Sequence, residues 1–159
     1  MHRDRLLPVW SSETFQDWWA ERGGATSPSP QRGAFERVAL FVTCSVNNSA
    51  PEIGRAAVAV LERNGCEVVV PDQRCCGMPS LESGDLDTAR ECRSQNVHWL
   101  LPFVRAGYTI VVPGPTCSLT IRKEYPVIGD DAEAREVAAA TLDLCEFLMR
   151  NDTRWRAGG

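Results

Sequence analysis

The chain has 159 residues, about the size of one compact domain, and its 43% hydrophobic and 24% charged residues are ordinary for a globular protein. The net charge of -4 gives no indication of a nucleic-acid backbone or an anionic membrane surface as partner. Near the N-terminus the longest apolar run is LLPVW, far short of the roughly 20 residues of a spanning helix, so a cytoplasmic chain without a membrane span is expected.

Residues 1–34 differ in composition from the rest and predict a Trp-rich helical arm followed by a linker. Trp10, Trp18 and Trp19 fall in the first part, and the Gly, Ser and Pro-rich stretch GGATSPSPQRG follows them. Arginines and acidic residues balance here, so no basic, membrane-binding face is indicated. We expect the arm to pack on the following domain or on a partner. Peripheral association with the inner face of the cell membrane, through partners, stays an open alternative.

Three short apolar runs follow and predict parallel β-strands: VALFV (38–42), EVVV (67–70) and YTIVV (108–112). Each run is apolar on both faces, as a strand covered by helices on both sides should be. Amphipathic stretches separate the runs, which is the βαβ pattern. The sequence therefore predicts an α/β domain over 35–150, a Rossmann-like parallel sheet with flanking helices, followed by a tail over 151–159.

The stretches between and after these strands predict three helices. The first follows Pro51, which suits a first helical turn, and the second covers 85–105, where Pro102 should kink or break it. The third is predicted as one helix over 132–149. The positions expected to face the core are Ile53, Ala57, Val60 and Leu61 in the first helix; Leu86, Ala89, Val97, Leu100, Leu101 and Val104 in the second; and Val137, Thr141, Leu144, Cys145 and Leu148 in the third.

Four of the seven cysteines follow the predicted strands. Cys44 comes two residues after the first strand, Cys75 and Cys76 lie in the loop after the second, and Cys117 lies in the loop after the third. The carboxyl ends of parallel strands meet at one edge of the sheet, and such sheets bind their ligands there. The sequence therefore predicts that these four thiols share a site at that edge.

The other three cysteines are expected to be ordinary core residues. Cys66 begins a strand and so belongs to the opposite edge of the sheet, Cys92 is in the middle of a helix with no thiol neighbour, and Cys145 is on the apolar face of its helix. Free cysteine is a common small residue of protein cores.

The adjacent pair in DQRCCGMPS indicates what the four thiols hold. Zinc sites usually draw on C-x-x-C pairs that curl round one ion, whereas the side chains of neighbouring cysteines diverge and can reach two irons of a larger cluster. A disulfide between neighbours is strained. An iron-sulfur cluster on Cys44, Cys75, Cys76 and Cys117 is therefore the favoured interpretation, with Gly77 permitting a backbone turn and close approach to the cluster. Peptide N–H groups in the turns around Cys44 and Cys117 are candidate donors to its sulfurs.

Two other interpretations of the same cysteines stay open. One is a structural domain in which the four thiols hold zinc or no metal. The other is a thiol sensor that uses Cys75 and Cys76 as a vicinal redox pair. Nucleotide enzymes and serine hydrolases are not indicated, because the chain has no G-x-G-x-x-G after the first strand, no G-K-[ST] and no G-x-S-x-G.

The motifs VTCSVN, RCCGMP and GPTCSLTIRKEYP together resemble the CCG cysteine-rich domain of the heterodisulfide reductase B subunit. They look most like the iron-sulfur C subunit of anaerobic glycerol-3-phosphate dehydrogenase and the iron-sulfur subunit of glycolate oxidase. The resemblance implies an electron-transfer component, itself non-catalytic, of a flavin-linked oxidoreductase complex. Its implied partners are a flavoprotein dehydrogenase subunit and a second CCG copy, supplied in trans or by a homodimer.

By the same resemblance the cluster ligands are Cys44, Cys75, Cys76 and Cys117. The family's final C-x-x-C is present only as Cys117, with Gly114 and Thr120 at the two candidate positions of its partner, so a four-thiolate 4Fe-4S cluster is implied.

The residues that follow Cys117 are expected to have no special role. Arg122, Lys123, Glu124 and Tyr125 predict a solvated helix start, with tuning of the cluster or contact with a partner as the alternative. His98 is expected to be an ordinary surface histidine, because no cysteine lies one helical turn from it.

Overall fold

The computed structural model describes residues 9–29, 36–129 and 131–156. Four strands and nine helices cover most of these residues. In chain order they are α1 (Phe15–Glu21), β1 (Glu36–Leu40), α2 (Cys44–Asn48), α3 (Pro51–Arg63), β2 (Cys66–Val69), α4 (Met78–Glu82), α5 (Leu86–Arg105), β3 (Thr109–Val112), α6 (Pro115–Leu119), a π-helical turn (Thr120–Glu124), α7 (Tyr125–Ile128), α8 (Ala132–Ala139), β4 (Thr141–Asp143) and α9 (Leu144–Arg156). The first eight residues of the predicted arm, part of the predicted linker and the last three residues of the predicted tail lie outside the described residues.

The strands form one parallel sheet in the order β2-β1-β3-β4. Val38 lies opposite Val68, Ala39 opposite Ile110, and Val111 opposite Leu142. The predicted α/β fold with a Rossmann-like parallel sheet is confirmed.

The single helix predicted over 132–149 is wrong, because the short strand β4 divides this stretch into α8 and α9. Thr141 and Leu142 are buried, and β4 pairs with β3 along the edge of the sheet. A run of only three residues is too short for periodicity to separate a strand from a helix. Its backbone pairing with β3, some 30 residues earlier in the chain, makes it a strand.

Helices cover both faces of the sheet, so there is a core on each side. On one side Ala39 and Phe41 pack with residues of α5, α7 and α8. On the other side Val38 and Leu40 pack with residues of α1, α3 and α9. Successive residues of a strand point to opposite faces, which is why one apolar run supplies both cores.

The predicted helices α3 and α5 are present, with two corrections. α3 begins at Pro51 as predicted, but Ile53 and Val60 are exposed while Gly54 and Val58 are buried. The buried face is rotated because the arm packs against α3. α5 runs without interruption through Pro102, which therefore does not break it. Of the other inward predictions, Leu86 and Cys145 are exposed, and Ala57, Leu61, Ala89, Val97, Leu100, Leu101, Val137 and Thr141 are buried.

The arm packs on the domain, as expected, and α1 forms part of its second core. Phe15 and Trp19 are buried, and a Cβ on Gly54 of α3 would lie 2.4 Å from the Phe15 ring. The backbone N–H of Gln16 donates to the side chain of Asn47 at 3.0 Å. Trp10, by contrast, is 73% exposed. Over the described residues, no helix has the length and apolar character needed to cross a lipid bilayer.

Candidate metal centre

The predicted edge of the sheet has a second property, besides its cysteines, that is typical of ligand sites in such folds. The chain passes from β1 to the outer strand β2, and then crosses back to β3 on the other side of β1. The loops after β1 and β3 therefore diverge, and this divergence leaves the crevice in which open α/β sheets bind ligands. Cys44 follows β1 as the first residue of α2, and Cys117 follows β3 within α6. Cys75 and Cys76 lie between β2 and α4.

Direct contacts hold the three cysteine loops together. The N–H of Val42, after β1, donates to the side chain of Gln73, after β2, at 2.9 Å. A Cβ built on Gly114, after β3, would lie only 2.8 Å from Cγ2 of Thr43. Gly114 is one of the two positions at which the family pattern has a further cysteine. As the chain is folded, Thr43 leaves no room for that side chain.

The four predicted cysteines lie close enough for their charges and protons to interact. Cys76 is buried and hydrogen-bonds the Cys117 side chain, and it also interacts with Cys75. Negative charge on Cys44 would raise the pKa of both Cys75 and Cys117. Cys44 and Cys75 are exposed, so the group reaches from the core to the surface.

Of these thiols, Cys76 has a lowered pKa, whereas Cys75 and Cys117 have raised ones. The hydrogen bond from the Cys117 thiol, helped by the N–H of Met78, lowers the pKa of Cys76 to about 6 against the opposing effect of burial. The pKa of Cys117 is raised, because its proton is held by Cys76 and because the side chain is partly buried. Burial likewise raises the pKa of Cys75, against a hydrogen bond from the N–H of Gly77. Sulfur at this edge is therefore surrounded by hydrogen-bond donors.

Gly77 makes the turn that the sequence predicted. Its φ is 86°, in the left-handed region that strains other residues. A Cβ at this position would lie 3.3 Å from Cβ of Cys92 and 3.4 Å from the carbonyl oxygen of Ala89, both on α5. The close approach seen here is to α5, and an approach to a cluster stays a prediction.

The three remaining cysteines differ in how well the sequence described them. Cys66 is buried at the start of β2, and burial raises its pKa to about 11, as expected for a core thiol at the far edge. Cys92 is buried but does have a thiol neighbour, because it packs under Gly77 and negative charge on it would raise the pKa of Cys75. Cys145 is exposed, so its predicted burial is wrong. The helix period did not show that α5 passes directly beneath the CCG turn.

Two residues hold the CCG turn from below: Asn96, which the sequence analysis did not select, and Tyr125, for which a role at the cluster was only the alternative. The side-chain N–H₂ of Asn96 donates to the carbonyl of Cys75 at 3.0 Å, and its oxygen accepts from the N–H of Arg74 at 2.8 Å. The hydroxyl of Tyr125 donates to the carbonyl of Cys76 at 3.1 Å and accepts from Asn96 at 2.9 Å. Both side chains are fully buried. Asn96 lies one helical turn from both Cys92 and Leu100, on the apolar face of α5. A polar residue on that face is the sequence feature that could have pointed to a buried hydrogen-bonding role for Asn96.

The expected solvated helix start is wrong for Tyr125, which is 0% exposed, whereas Lys123 is exposed. The carbonyl of Tyr125 accepts from Nε of Arg93 at 2.8 Å, and the buried guanidinium also binds the carbonyl of Gly129 and the carboxylate of Asp131. The hydrogen bond from Arg93 lowers the pKa of Asp131. A buried arginine on α5 thus anchors the tyrosine that holds the turn.

Two further observations complete the surroundings. His98 is exposed, as expected of a surface histidine. Arg122 is half-buried and pairs with Glu146 at 2.7 Å. Across residues 9–29, 36–129 and 131–156, no three His, Cys, Asp or Glu side chains are drawn together in the manner of a single-ion site.

The cysteine pattern and the site belong to a known family. The family model described as the cysteine-rich domain CCG matches residues 38–122, which contain Cys44, Cys75, Cys76 and Cys117. The chain belongs to the CCG cysteine-rich domain family. CCG domains generally bind iron-sulfur clusters. The family inferred from the motifs is confirmed.

The CCG domain has relatives among curated proteins. The chain is 41% identical over 119 residues to lactate utilization protein A of Geobacillus kaustophilus. The aligned region covers 71% of this chain and 48% of that protein. The protein of the same name from Bacillus cytotoxicus gives the same identity and coverage, and that from Geobacillus thermodenitrificans is 40% identical. The chain spans about half the length of these relatives. No solved structure matches it significantly.

Proposed function

We propose that this CCG domain is an iron-sulfur electron-transfer module of an oxidoreductase complex that takes part in the use of lactate. Cys44, Cys75, Cys76 and Cys117 hold the cluster, which is of the 4Fe-4S type. The complex also contains a flavoprotein dehydrogenase subunit. The reference to lactate rests on the name of the relatives alone, whereas the cluster proposal rests on the site.

One observation carries the cluster proposal: four interacting thiols come from three different loops to the crevice between β1 and β3. Thiolates are the usual ligands of iron-sulfur clusters. The donor set also fits such a group, because the N–H groups of Gly77 and Met78 already point to the sulfurs of Cys75 and Cys76. These donors come from the CCG turn itself, and the sequence had singled out other turns.

The exposure of the thiols suits a relay of electrons. When bound, a cluster would supply a one-electron carrier. Cys76 and Cys117 lie on the inner side of the site, and Cys44 and Cys75 lie on its solvent side. A small recess of about 130 Å³ adjoins the two exposed cysteines and is lined mainly by the amide side chains Gln16, Asn47, Asn48 and Gln73. Arg74 also lines the recess, and its guanidinium pairs with Glu91 at 2.9 Å, so a partner that approaches here meets amide groups and one cation that is already paired.

The experiment that tests the proposal measures iron, sulfide and zinc in protein that is produced and purified without oxygen, together with an EPR spectrum. Serine variants of Cys44, Cys75, Cys76 and Cys117 are each compared with the matched variants Cys66→Ser and Cys145→Ser. Cys66 is a buried control and Cys145 is an exposed control, and neither lies at the site.

We expect the wild type and both controls to bind nearly stoichiometric iron and sulfide and to give a paramagnetic signal in one redox state. Each of the four site variants should lose most of the iron. Stoichiometric zinc without sulfide would instead support the structural interpretation. A metal-free protein that reversibly loses two thiols on mild oxidation, with or without Cys44 and Cys117, would support the thiol sensor.

A further inference from the structure

The CCG turn presents its peptide groups in a defined orientation, and two contacts determine it. The hydroxyl of Tyr125 holds the carbonyl of Cys76 on the inner side of the turn. In the trans peptide that joins Cys76 to Gly77, the C=O and the N–H point in opposite directions. The N–H of Gly77 is accordingly directed outward, where it donates to the sulfur of Cys75.

The next peptide of the turn is held in a different way. Its carbonyl, on Gly77, accepts from the N–H of Leu81 at 3.0 Å in the first turn of α4. Its N–H, on Met78, donates to the sulfur of Cys76. The two N–H···S hydrogen bonds of the turn therefore depend on different supports: the first on Tyr125, the second on the helix α4.

The support under the first peptide is built into the core. Tyr125 is fully buried, its hydroxyl accepts from Asn96, and its own carbonyl is held by Arg93. Asn96 in turn binds the backbone on the other side of the pair, at Arg74 and at the carbonyl of Cys75. A buried hydroxyl with both partners satisfied has one orientation, so it fixes the orientation of the peptide that it binds.

We propose that Tyr125, supported by Asn96, is a positioning residue that aims the N–H of Gly77 at the Cys75 sulfur and thereby raises the reduction potential of the cluster. This inference rests on the proposed function for its effect on potential, but not for the orientation of the peptide. Hydrogen bonds to cluster sulfurs are one of the determinants of reduction potential.

The variant that tests the proposal is Tyr125→Phe, which keeps the buried ring and removes only the hydroxyl. The chain offers a matched control in its other tyrosine, Tyr108, whose side chain is buried and whose part-buried hydroxyl accepts from the N–H of Ser29 and from Arg37, each at 2.9 Å, and donates to the carboxylate of Glu67. Tyr108 precedes β3 and so lies at the opposite edge of the sheet. Tyr108→Phe likewise removes a hydrogen-bonded hydroxyl, without touching the CCG turn.

The first measurement uses the metal-free chain and records amide hydrogen exchange by NMR. In Tyr125→Phe we expect the amide of Gly77 to exchange at least about tenfold faster than in the wild type, while the amide of Met78 keeps its rate because α4 still holds it. General loosening of the fold would accelerate both amides. Equal exchange at Gly77 in Tyr125→Phe, Tyr108→Phe and the wild type would overturn the orienting role.

The second measurement is the midpoint potential of the cluster-loaded protein, followed by EPR. We expect the potential of Tyr125→Phe to fall, by about 59 mV if the reduction equilibrium constant drops tenfold, and that of Tyr108→Phe to stay at the wild-type value. A wild type that binds the cluster and a Tyr125→Phe variant of unchanged potential would overturn the inference alone. A wild type that binds no iron would refute the proposed function, and the exchange data would still decide the orientation of the peptide.

Discussion

Replacing Gly77 by alanine should destabilise the fold and impair the site for two separable reasons. The first is the backbone, because at a φ of 86° a side chain costs about 1–2 kcal/mol. The second is contact, because the new Cβ would lie 3.3 Å from Cys92 and 3.4 Å from the backbone oxygen of Ala89. Both belong to the long helix α5, and only the contact with Cys92 is shorter than an ordinary van der Waals contact, by about a tenth of an ångström. A small adjustment of the turn or the helix relieves it, at a cost near the lower end of the about 1–3 kcal/mol that overpacking takes.

Gly84 provides the control for the backbone term. Its φ is 82°, nearly that of Gly77, but no atom lies within 4 Å of where its Cβ would be. Gly84→Ala should therefore cost only the backbone strain, about 1–2 kcal/mol. Gly77→Ala should exceed it by the contact term, so that their difference isolates the contact with α5.

Urea unfolding of the metal-free chain under reducing conditions measures both free energies, and iron uptake measures the consequence for the site. We expect similar urea dependence in all three proteins, a midpoint that falls further for Gly77→Ala than for Gly84→Ala, and reduced iron uptake only for Gly77→Ala. If the two variants unfold at the same urea concentration and bind equal iron, the close packing of the turn on α5 has no energetic weight and the reasoning is refuted.

Three further predictions concern the arm, an ion pair and the thiols. Trp19→Ala should lower the free energy of unfolding by about 3–5 kcal/mol, because the Trp19 ring is buried. The control Trp10→Ala should change it by less than about 0.5 kcal/mol, because Trp10 is exposed. Equal urea midpoints for the two variants would contradict the packing of the arm. The pKa of Asp131 is lowered in the folded chain by the buried arginine of α5, so its contribution to stability is present above the unfolded value of 3.8 and is lost as the pH falls through the lower folded value. Asp131→Asn should accordingly flatten the loss of stability below about pH 4, measured by thermal unfolding across pH, and an unchanged slope would count against the pair. Iodoacetamide at pH 8 should modify the exposed Cys145 well before Cys66, which is buried and whose pKa is raised to about 11; peptide mass spectrometry that found the reverse order would contradict the assignment.

The positions of the main strands and of the four cysteines could be predicted from sequence, because both are local properties. A run such as VALFV is apolar at every position, which suits a strand buried on both faces. Once the strands are predicted to be parallel, their following loops must share an edge. The adjacency of Cys44, Cys75, Cys76 and Cys117 at that edge followed from loop position alone.

The supports of that site could not be predicted in the same way, because they are contacts between distant parts of the chain. Tyr125 stands in the polar run RKEYP, and no local pattern shows that its ring enters the core and its hydroxyl reaches Cys76. Cys92 lies in a regular helix, and its approach to the CCG turn depends on how α5 crosses the sheet.

The sequence by itself thus determined the α/β class, the parallel sheet and the edge at which the thiols gather, since these depend on hydrophobic period and on the order of elements along the chain. The tertiary structure decided that Thr141–Asp143 is a strand, that the arm belongs to the core, and which peptide groups face the cysteine sulfurs. These features arise from strand pairing, side-chain packing and buried hydrogen bonds between residues far apart in sequence. Such interactions have no period or spacing by which a local stretch of sequence could reveal them.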